Sequence, residues 1–170
     1  GNYITEFFRQ MSAGGFLVTN TYAANQAVSG AKTAAALTRV NSLGSVPKLV
    51  LCGIGTNDCT DLAITESTVR SNLRGIVDAL VAKGATRIIF WTCPTLRNYA
   101  TYQSTAYDNQ TDMVNGVIRE MAAYNRACVI VELFAPFGSH TPDTSLFGAN
   151  FHPSAKGSTL IGQLMGQAAV

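Results

Sequence analysis

The sequence predicts a single three-layer α/β/α domain, in which a parallel β-sheet is covered by helices on both faces. Strand-sized apolar runs alternate with segments whose apolar residues recur at helical spacing. The strand-sized runs are largely apolar, which is typical of a parallel sheet that is buried on both sides. No linker, repeat or low-complexity stretch interrupts the alternation, so residues 1–170 are expected to form one domain.

The first half of the chain carries two predicted helices and two predicted strands. Residues 3–12 are expected to form a helix that ends at Gly14 and Gly15. Residues 16–20 form a short predicted strand, residues 31–40 an Ala-rich helix, and residues 48–53 a buried strand. The chain therefore opens with a helix, not with the central strand that begins most domains of this kind.

The second half repeats the pattern. Apolar residues at helical spacing predict helices over residues 69–84, 113–121 and 160–165, with Ser154 as the N-cap of the last one. Strands are predicted between them, over residues 87–92 and 128–132.

A first strand is expected from a companion segment, either upstream of Gly1 or from another chain. It would lie between the strands at 16–20 and 48–53, and without it both neighbours would bury unpaired backbone groups.

Composition excludes several classes of protein. A hydrophobic content of 47% and a charged content of 13% are those of a compact globular domain. The net charge of +2 and the scattered basic residues give no basis for a nucleic-acid partner, and no apolar run is long enough to span a membrane.

The four cysteines lack metal-site spacing. Cys52, Cys93 and Cys128 are expected to be buried free thiols, whereas Cys59 either pairs with Cys52 or stays free.

Polar residues follow the strand at 48–53 directly, as Gly55-Thr56-Asn57-Asp58. The carboxyl end of a parallel strand is where α/β enzymes keep their chemistry. Much later, His152 stands just ahead of the last predicted helix. An amide donor and a histidine base together indicate acyl transfer. The simpler alternatives are that the Asn57 side chain bonds the backbone of its own turn and that His152 is an ordinary surface residue. Asp58 is expected to be structural, capping or bonding the loop that follows it.

Three blocks in order resemble the SGNH (GDSL-type) hydrolase family. Residues 25–31 look like its second block, 55–58 like its third, and 152–157 like its fifth. The resemblance implies that Gly30 N–H and the Asn57 side chain form the oxyanion hole and that His152 is the catalytic base. It also implies a flavodoxin-like fold and serine-dependent ester hydrolysis that needs no metal or organic cofactor.

The nucleophile block of the family, Gly-Asp-Ser, is absent or degenerate in this chain. One alignment lays residues 1–5 over it, with Asn2 at the Asp position and Tyr3 at the Ser position. The other makes residues 2–8 the start of the first helix, with the strand and the serine upstream of residue 1. We favour the second, because it explains the missing serine and the missing strand together.

The triad acid also departs from the family, which places it three residues before the histidine, where this chain has Ala149. Asp143 in the same loop is a possible replacement, and a backbone carbonyl is another. His140 is expected to be an ordinary loop histidine, although Asp143 lies close enough in sequence to pair with it.

The expected reaction is hydrolysis of a short acyl ester, such as an acetyl group on a carbohydrate or similar small molecule. Loop tyrosines offer faces for sugar rings; they are Tyr22, Tyr99, Tyr102 and Tyr107. The alternative is a catalytically degenerate module that binds a carbohydrate or a partner, since the family's Ser and Asp positions are both unfilled here.

Overall fold

The structure, a computed structural model, describes residues 26–148 and 152–169. The predicted helix at 3–12 and the predicted strand at 16–20 lie outside these residues, as do Asn2, Tyr3 and Ala149. The described part of the chain forms five α-helices and three β-strands. They are α1 (Thr33–Ser42), β1 (Leu49–Cys52), α2 (Thr56–Cys59), α3 (Glu66–Ala82), β2 (Arg87–Trp91), α4 (Thr105–Tyr124), β3 (Cys128–Val131) and α5 (Ala155–Ala169).

The three strands form a parallel sheet in the order β1-β2-β3. Cys52 pairs with Phe90, and Ile88 pairs with Cys128, so the strands end together at one edge. The loops that carry the predicted chemistry leave the sheet at this carboxyl edge. The parallel sheet and the three predicted strand positions between 48 and 132 are confirmed.

Helices cover both faces of the sheet because the strands are apolar on both. On β2, Ile88 and Phe90 belong to a core shared with α3 and α4, whereas the intervening Ile89 belongs to a second core shared with α5. All three side chains are fully buried. This two-sided packing is the predicted three-layer α/β/α arrangement.

Three helices, α3, α4 and α5, begin before their predicted first residues, where polar residues interrupt the apolar pattern. Thr65 caps α3 by accepting a hydrogen bond from the N–H of Thr68. The first turns of α4 contain buried Asp108 and Thr111, and these polar residues hid that part of the helix from the sequence pattern. Within residues 26–148 and 152–169, no helix is both long enough and apolar enough to cross a membrane.

Candidate active site

The turn that follows β1 requires the glycine at its start. Gly55 has a φ of 116°, in the left-handed region, and it is buried. A Cβ at this position would lie 3.0 Å from Cγ1 of Val114 and 3.1 Å from Sγ of Cys93. The chain can therefore turn tightly from β1 into the single turn of α2, which carries Asn57 at the sheet edge.

Asn57 bonds a distant loop, not its own turn. Its Nδ2 donates a hydrogen bond of 3.1 Å to the carbonyl oxygen of Ala31. Ala31 closes a turn that begins at Val28, where the Ala31 N–H donates to the Val28 carbonyl, and Gly30 adopts a φ of 74°. The bond uses one of the two N–H groups of the amide. The structure thus joins the turn that carries Gly30 to α2, which carries Asn57, so the two predicted donor residues lie on adjoining segments.

Asp58 is buried and reaches back to the start of α1, whereas the sequence suggested a contact with the following loop. Its Oδ1 accepts a 2.7 Å hydrogen bond from Oγ1 of Thr33, and its Oδ2 accepts a 3.0 Å bond from the Thr33 N–H. Burial raises the pKa of the Asp58 carboxyl, while these bonds from Thr33 act to lower it.

His152 lies exposed, three residues ahead of the first residue of α5. Its carbonyl accepts a 2.7 Å hydrogen bond from the Gly148 N–H, and Phe147 pairs with Pro153 in an antiparallel bridge. The predicted N-cap is confirmed, because Ser154 Oγ accepts a 3.1 Å bond from the N–H of Gly157. His152 is therefore held between the capped start of α5 and the backbone contacts with Phe147 and Gly148.

Asp143 lies beside the segment that carries His152. Its Oδ1 accepts hydrogen bonds from the Ser145 N–H at 3.0 Å and from Ser145 Oγ at 2.7 Å. The Ser145 hydrogen bonds hold the pKa of the Asp143 carboxyl below its ordinary value. Ser145 in turn contacts Ser154 and Lys156, which follow His152 in the chain. The role of Asp143 as triad acid stays a prediction.

His140 binds two carboxylates of α4 and makes no dyad of the kind considered with Asp143. Its Nε2 is 3.1 Å from Oδ2 of Asp112, and its Nδ1 is 3.1 Å from Oδ1 of Asp108, a contact that does not form a hydrogen bond. Arg97 also binds Asp108 and lowers the pKa of that carboxyl. Sequence reasoning missed this cluster, although two acidic residues one helical turn apart were its signal.

All four cysteines are free, as predicted for three of them and as one of the alternatives for Cys59. Cys59, Cys93 and Cys128 are buried, whereas Cys52, which was also predicted to be buried, is only partly buried at the end of β1. Burial raises the pKa of the Cys128 thiol to about 11, so this thiol stays protonated and weakly nucleophilic at neutral pH.

The loop tyrosines within the described residues pack against one another. The ring centroids of Tyr99 and Tyr102 are 5.5 Å apart, and those of Tyr102 and Tyr107 are 5.0 Å apart. Tyr22 lies outside the described residues. The three rings form a cluster between the loop after β2 and the first turn of α4.

The three-layer fold, with these loops at the carboxyl edge of its sheet, is the arrangement found in SGNH-type hydrolases. The profile of the GDSL-like lipase/acylhydrolase family matches residues 3–160, and the chain belongs to this family. Membership in a family of lipases and acylhydrolases supports ester hydrolysis as the general class of activity. No curated protein matches the sequence.

Solved structures share the fold at low sequence identity. A GDSL-like lipase from Bacteroides thetaiotaomicron has a TM-score of 0.72 and 17% identity, with 98% of this chain and 80% of that chain covered. A Parabacteroides merdae protein described as a GDSL-like lipase has a TM-score of 0.75 and 19% identity, with 99% and 81% covered. A carbohydrate esterase family 3 protein from Talaromyces cellulolyticus has a TM-score of 0.68 and 15% identity, with 98% and 88% covered.

Proposed function

We propose that this domain hydrolyses carboxylic esters by a serine-type mechanism. The observation that carries the proposal is the hydrogen bond from Asn57 Nδ2 to the Ala31 carbonyl, 3.1 Å long. It holds the Gly30 turn against the Asn57 turn, two donor-bearing segments that lie far apart in sequence. Donors fixed in advance around the position of a developing oxyanion are the largest single contribution to many acyl transfers.

The proposed roles follow from what each group can donate or accept. A serine hydroxyl attacks the acyl carbon while His152 takes its proton, and the negative charge moves to the former carbonyl oxygen. Gly30 N–H, a side-chain N–H of Asn57 and the serine N–H bind that oxyanion. His152 then returns the proton to the leaving alcohol, and water repeats the sequence to release the acid. Asp143 is our candidate for orienting the imidazole.

The nucleophile is the one group of this machinery that we do not assign within residues 1–170. The proposal places it on a segment that supplies the first strand of the sheet, upstream in the same polypeptide or on a companion chain. It follows that the enzyme has to be assayed as the full natural polypeptide, together with any chain that copurifies with it.

We further propose that the substrate carries a short acyl group, such as acetyl, on a carbohydrate or similar small alcohol. The clustered tyrosines 99, 102 and 107 offer aromatic surface at the loops after β2. The fold shared with a carbohydrate esterase family 3 protein supports the same substrate class. Short-chain lipid esters are the competing substrates.

The test is to label the natural polypeptide with a fluorophosphonate probe and to locate the adduct by mass spectrometry under denaturing conditions. We expect a single modified serine, and we expect the His152→Ala variant to lose both labelling and turnover of an aryl acetate. The control variant is Arg126→Ala, which should be labelled normally. Arg126 is exposed in a turn and lies far in sequence from the three family blocks. Labelling that persists in His152→Ala contradicts the assigned base.

A catalytically degenerate binding module is the second candidate. It is favoured by one observation, the absence from this sequence of both the Gly-Asp-Ser block and an acid three residues before His152. A protein of this kind would bind a glycan without labelling or turnover. Glycan binding by a protein that neither labels nor hydrolyses aryl acetate would favour this candidate over the esterase.

A further inference from the structure

Three contacts join the segment that runs from Gly30 into α1 to the segment formed by α2 and the loop after it. One is the bond between Asn57 and Ala31 described above, and the second is the ion pair of Lys32 with Asp61, whose atoms are 2.7 Å apart. The third joins Asp58 to Thr33. Residues 31, 32 and 33 therefore contact residues 57, 61 and 58, respectively. Each of the three residues that follow Gly30 is bonded to the segment that carries Asn57.

The three contacts differ in exposure. The side chains of Lys32 and Asp61 keep 44% and 30% of their surface exposed, so water competes for their charges. Asp58 and Thr33 are both fully buried, at 0% exposure. A buried carboxylate that accepts hydrogen bonds from two donors cannot exchange them for water without opening the core. The Asp58 contact is therefore the rigid one.

Thr33 extends this contact to a third element. Its Oγ1 donates to Asp58 and also accepts a 3.1 Å hydrogen bond from Nδ2 of Asn72, on α3. The Thr33 N–H that Asp58 binds is at the first turn of α1, where backbone donors lack partners within the helix. Asp58 thus fixes the direction in which α1 leaves the Gly30 turn, three residues after Gly30.

We propose that Asp58 is a positioning residue of the oxyanion hole, which sets the distance between the Gly30 N–H and the Asn57 amide by fixing the start of α1. This inference rests on the proposed function. Asp58 is adjacent to Asn57 in the chain, and Thr33 is only three residues from Gly30, so a shift at the buried contact moves one donor relative to the other. Asp58 touches no substrate in this account.

The expected effect is a loss of rate without a loss of binding. Asp58→Asn replaces one carboxylate oxygen by an amide donor, which faces either the Thr33 N–H or the Thr33 hydroxyl. A misplacement of about 1 Å costs roughly 10²-fold in rate, so we expect kcat for an aryl acetate to fall by about that factor while KM changes little. Asp78→Asn is the matched control, because Asp78 accepts a hydrogen bond from Tyr124 on an exposed helix surface.

A pair of substitutions at Thr33 tests the same contact from its other end. Thr33→Val keeps the shape and removes the hydroxyl, whereas Thr33→Ser keeps the hydroxyl. We expect kcat to fall in the valine variant and to recover in the serine variant. These variants also decide the matter if Asp58→Asn does not fold.

Amide NMR separates this inference from the proposed esterase activity. In Asp58→Asn or Thr33→Val, the Gly30 N–H and the Asn57 side-chain amide signals should shift, and in Asp78→Asn they should not. An unsubstituted protein that turns over no ester overturns the proposed function, and the NMR shifts then judge the positioning role alone. Unshifted signals, or an unchanged kcat in variants with lowered stability, overturn the inference.

Discussion

The two sides of the candidate active site are built in different ways. The oxyanion side, residues 28–33 and 55–61, is fastened by a buried carboxylate and by bonds between segments that lie far apart in sequence. The histidine side, residues 138–148 and 152–157, is held mainly by exposed contacts around Ser145 and by backbone segments that approach each other closely at Gly138 and Gly157. Buried hydrogen bonds hold the oxyanion side rigid, whereas close packing of backbone segments holds the histidine side.

This difference fits what each side has to do. An oxyanion donor has to be in place before charge develops, because it gains most when no reorganisation is needed. A histidine that first takes a proton and then returns it has to serve two leaving groups in turn. The comparison predicts that the oxyanion side responds to substitutions that change hydrogen bonds, and the histidine side to substitutions that change volume.

The largest effect is expected for Gly157→Ala on the histidine side. A Cβ at Gly157 would lie 2.1 Å from the Leu146 carbonyl oxygen, which belongs to the backbone and cannot move aside freely. We expect a loss of about 3 kcal/mol in the free energy of unfolding, at the upper end of overpacking costs. Urea denaturation measures it. Gly116→Ala is the control, because a Cβ at Gly116 on α4 meets nothing within 4 Å and should stabilise the helix.

The next effect is expected at Thr92, a buried polar residue that follows β2 and lies outside both of these sides. Its Oγ1 accepts hydrogen bonds from the N–H groups of Leu133 at 2.8 Å and Phe134 at 3.0 Å. Thr92→Val would orphan both donors, and we expect a loss of about 2 kcal/mol. Thr92→Ser, which keeps the acceptor, should restore most of it in the same denaturation experiment. Equal stability of the two variants would show that the hydroxyl does not provide the stabilisation.

A smaller, pH-dependent effect is expected at Asp58. Because burial raises the pKa of this carboxyl above 3.8, the native state binds its proton more tightly than the unfolded state does. The resulting stability is fully present below pH 3.8 and is lost as pH rises through the native pKa. The free energy of unfolding of the natural protein should therefore fall with rising pH relative to Asp58→Asn. A difference that is constant with pH would contradict the shift.

The smallest effect is expected for Lys32→Met, which breaks the exposed ion pair with Asp61. Charges that keep this much contact with water contribute little to stability. The urea midpoint should stay within the scatter of repeated measurements, and kcat should be unchanged. A marked loss of kcat would show that the exposed pair, and not Asp58, fastens the two segments.

Much of the fold could be predicted from the sequence because two-sided burial leaves a strong pattern. The apolar runs of β1, β2 and β3 and the stripe of α3 were located to within a few residues. The short helix α2 and the first turns of α4 were missed, because α2 has only four residues and because Asp58, Asp108 and Thr111 are polar although they are buried. Such residues are buried only because of partners that no local pattern shows.

The candidate site was also predicted only in part, because some of its contacts join polar residues that lie far apart in the sequence. Gly30, Asn57 and His152 come from blocks with a recognisable order, and the structure brings the first two onto adjoining segments. The Thr33 partner of Asp58 and the Asp112 partner of His140 could not be predicted, since each contact joins residues more than twenty positions apart. Distant polar pairs are set by tertiary packing, which spacing along the chain does not encode.

The most direct test of the account is the kcat of Asn57→Ala for an aryl acetate, measured in the full natural polypeptide. Asn41→Ala, at an exposed position near the end of α1, is the matched control. We predict that the Asn57 variant loses about 10²- to 10³-fold in kcat, as expected for removal of one oxyanion donor, while KM changes little. A natural protein that turns over the ester and an Asn57→Ala variant that retains full kcat would contradict the account.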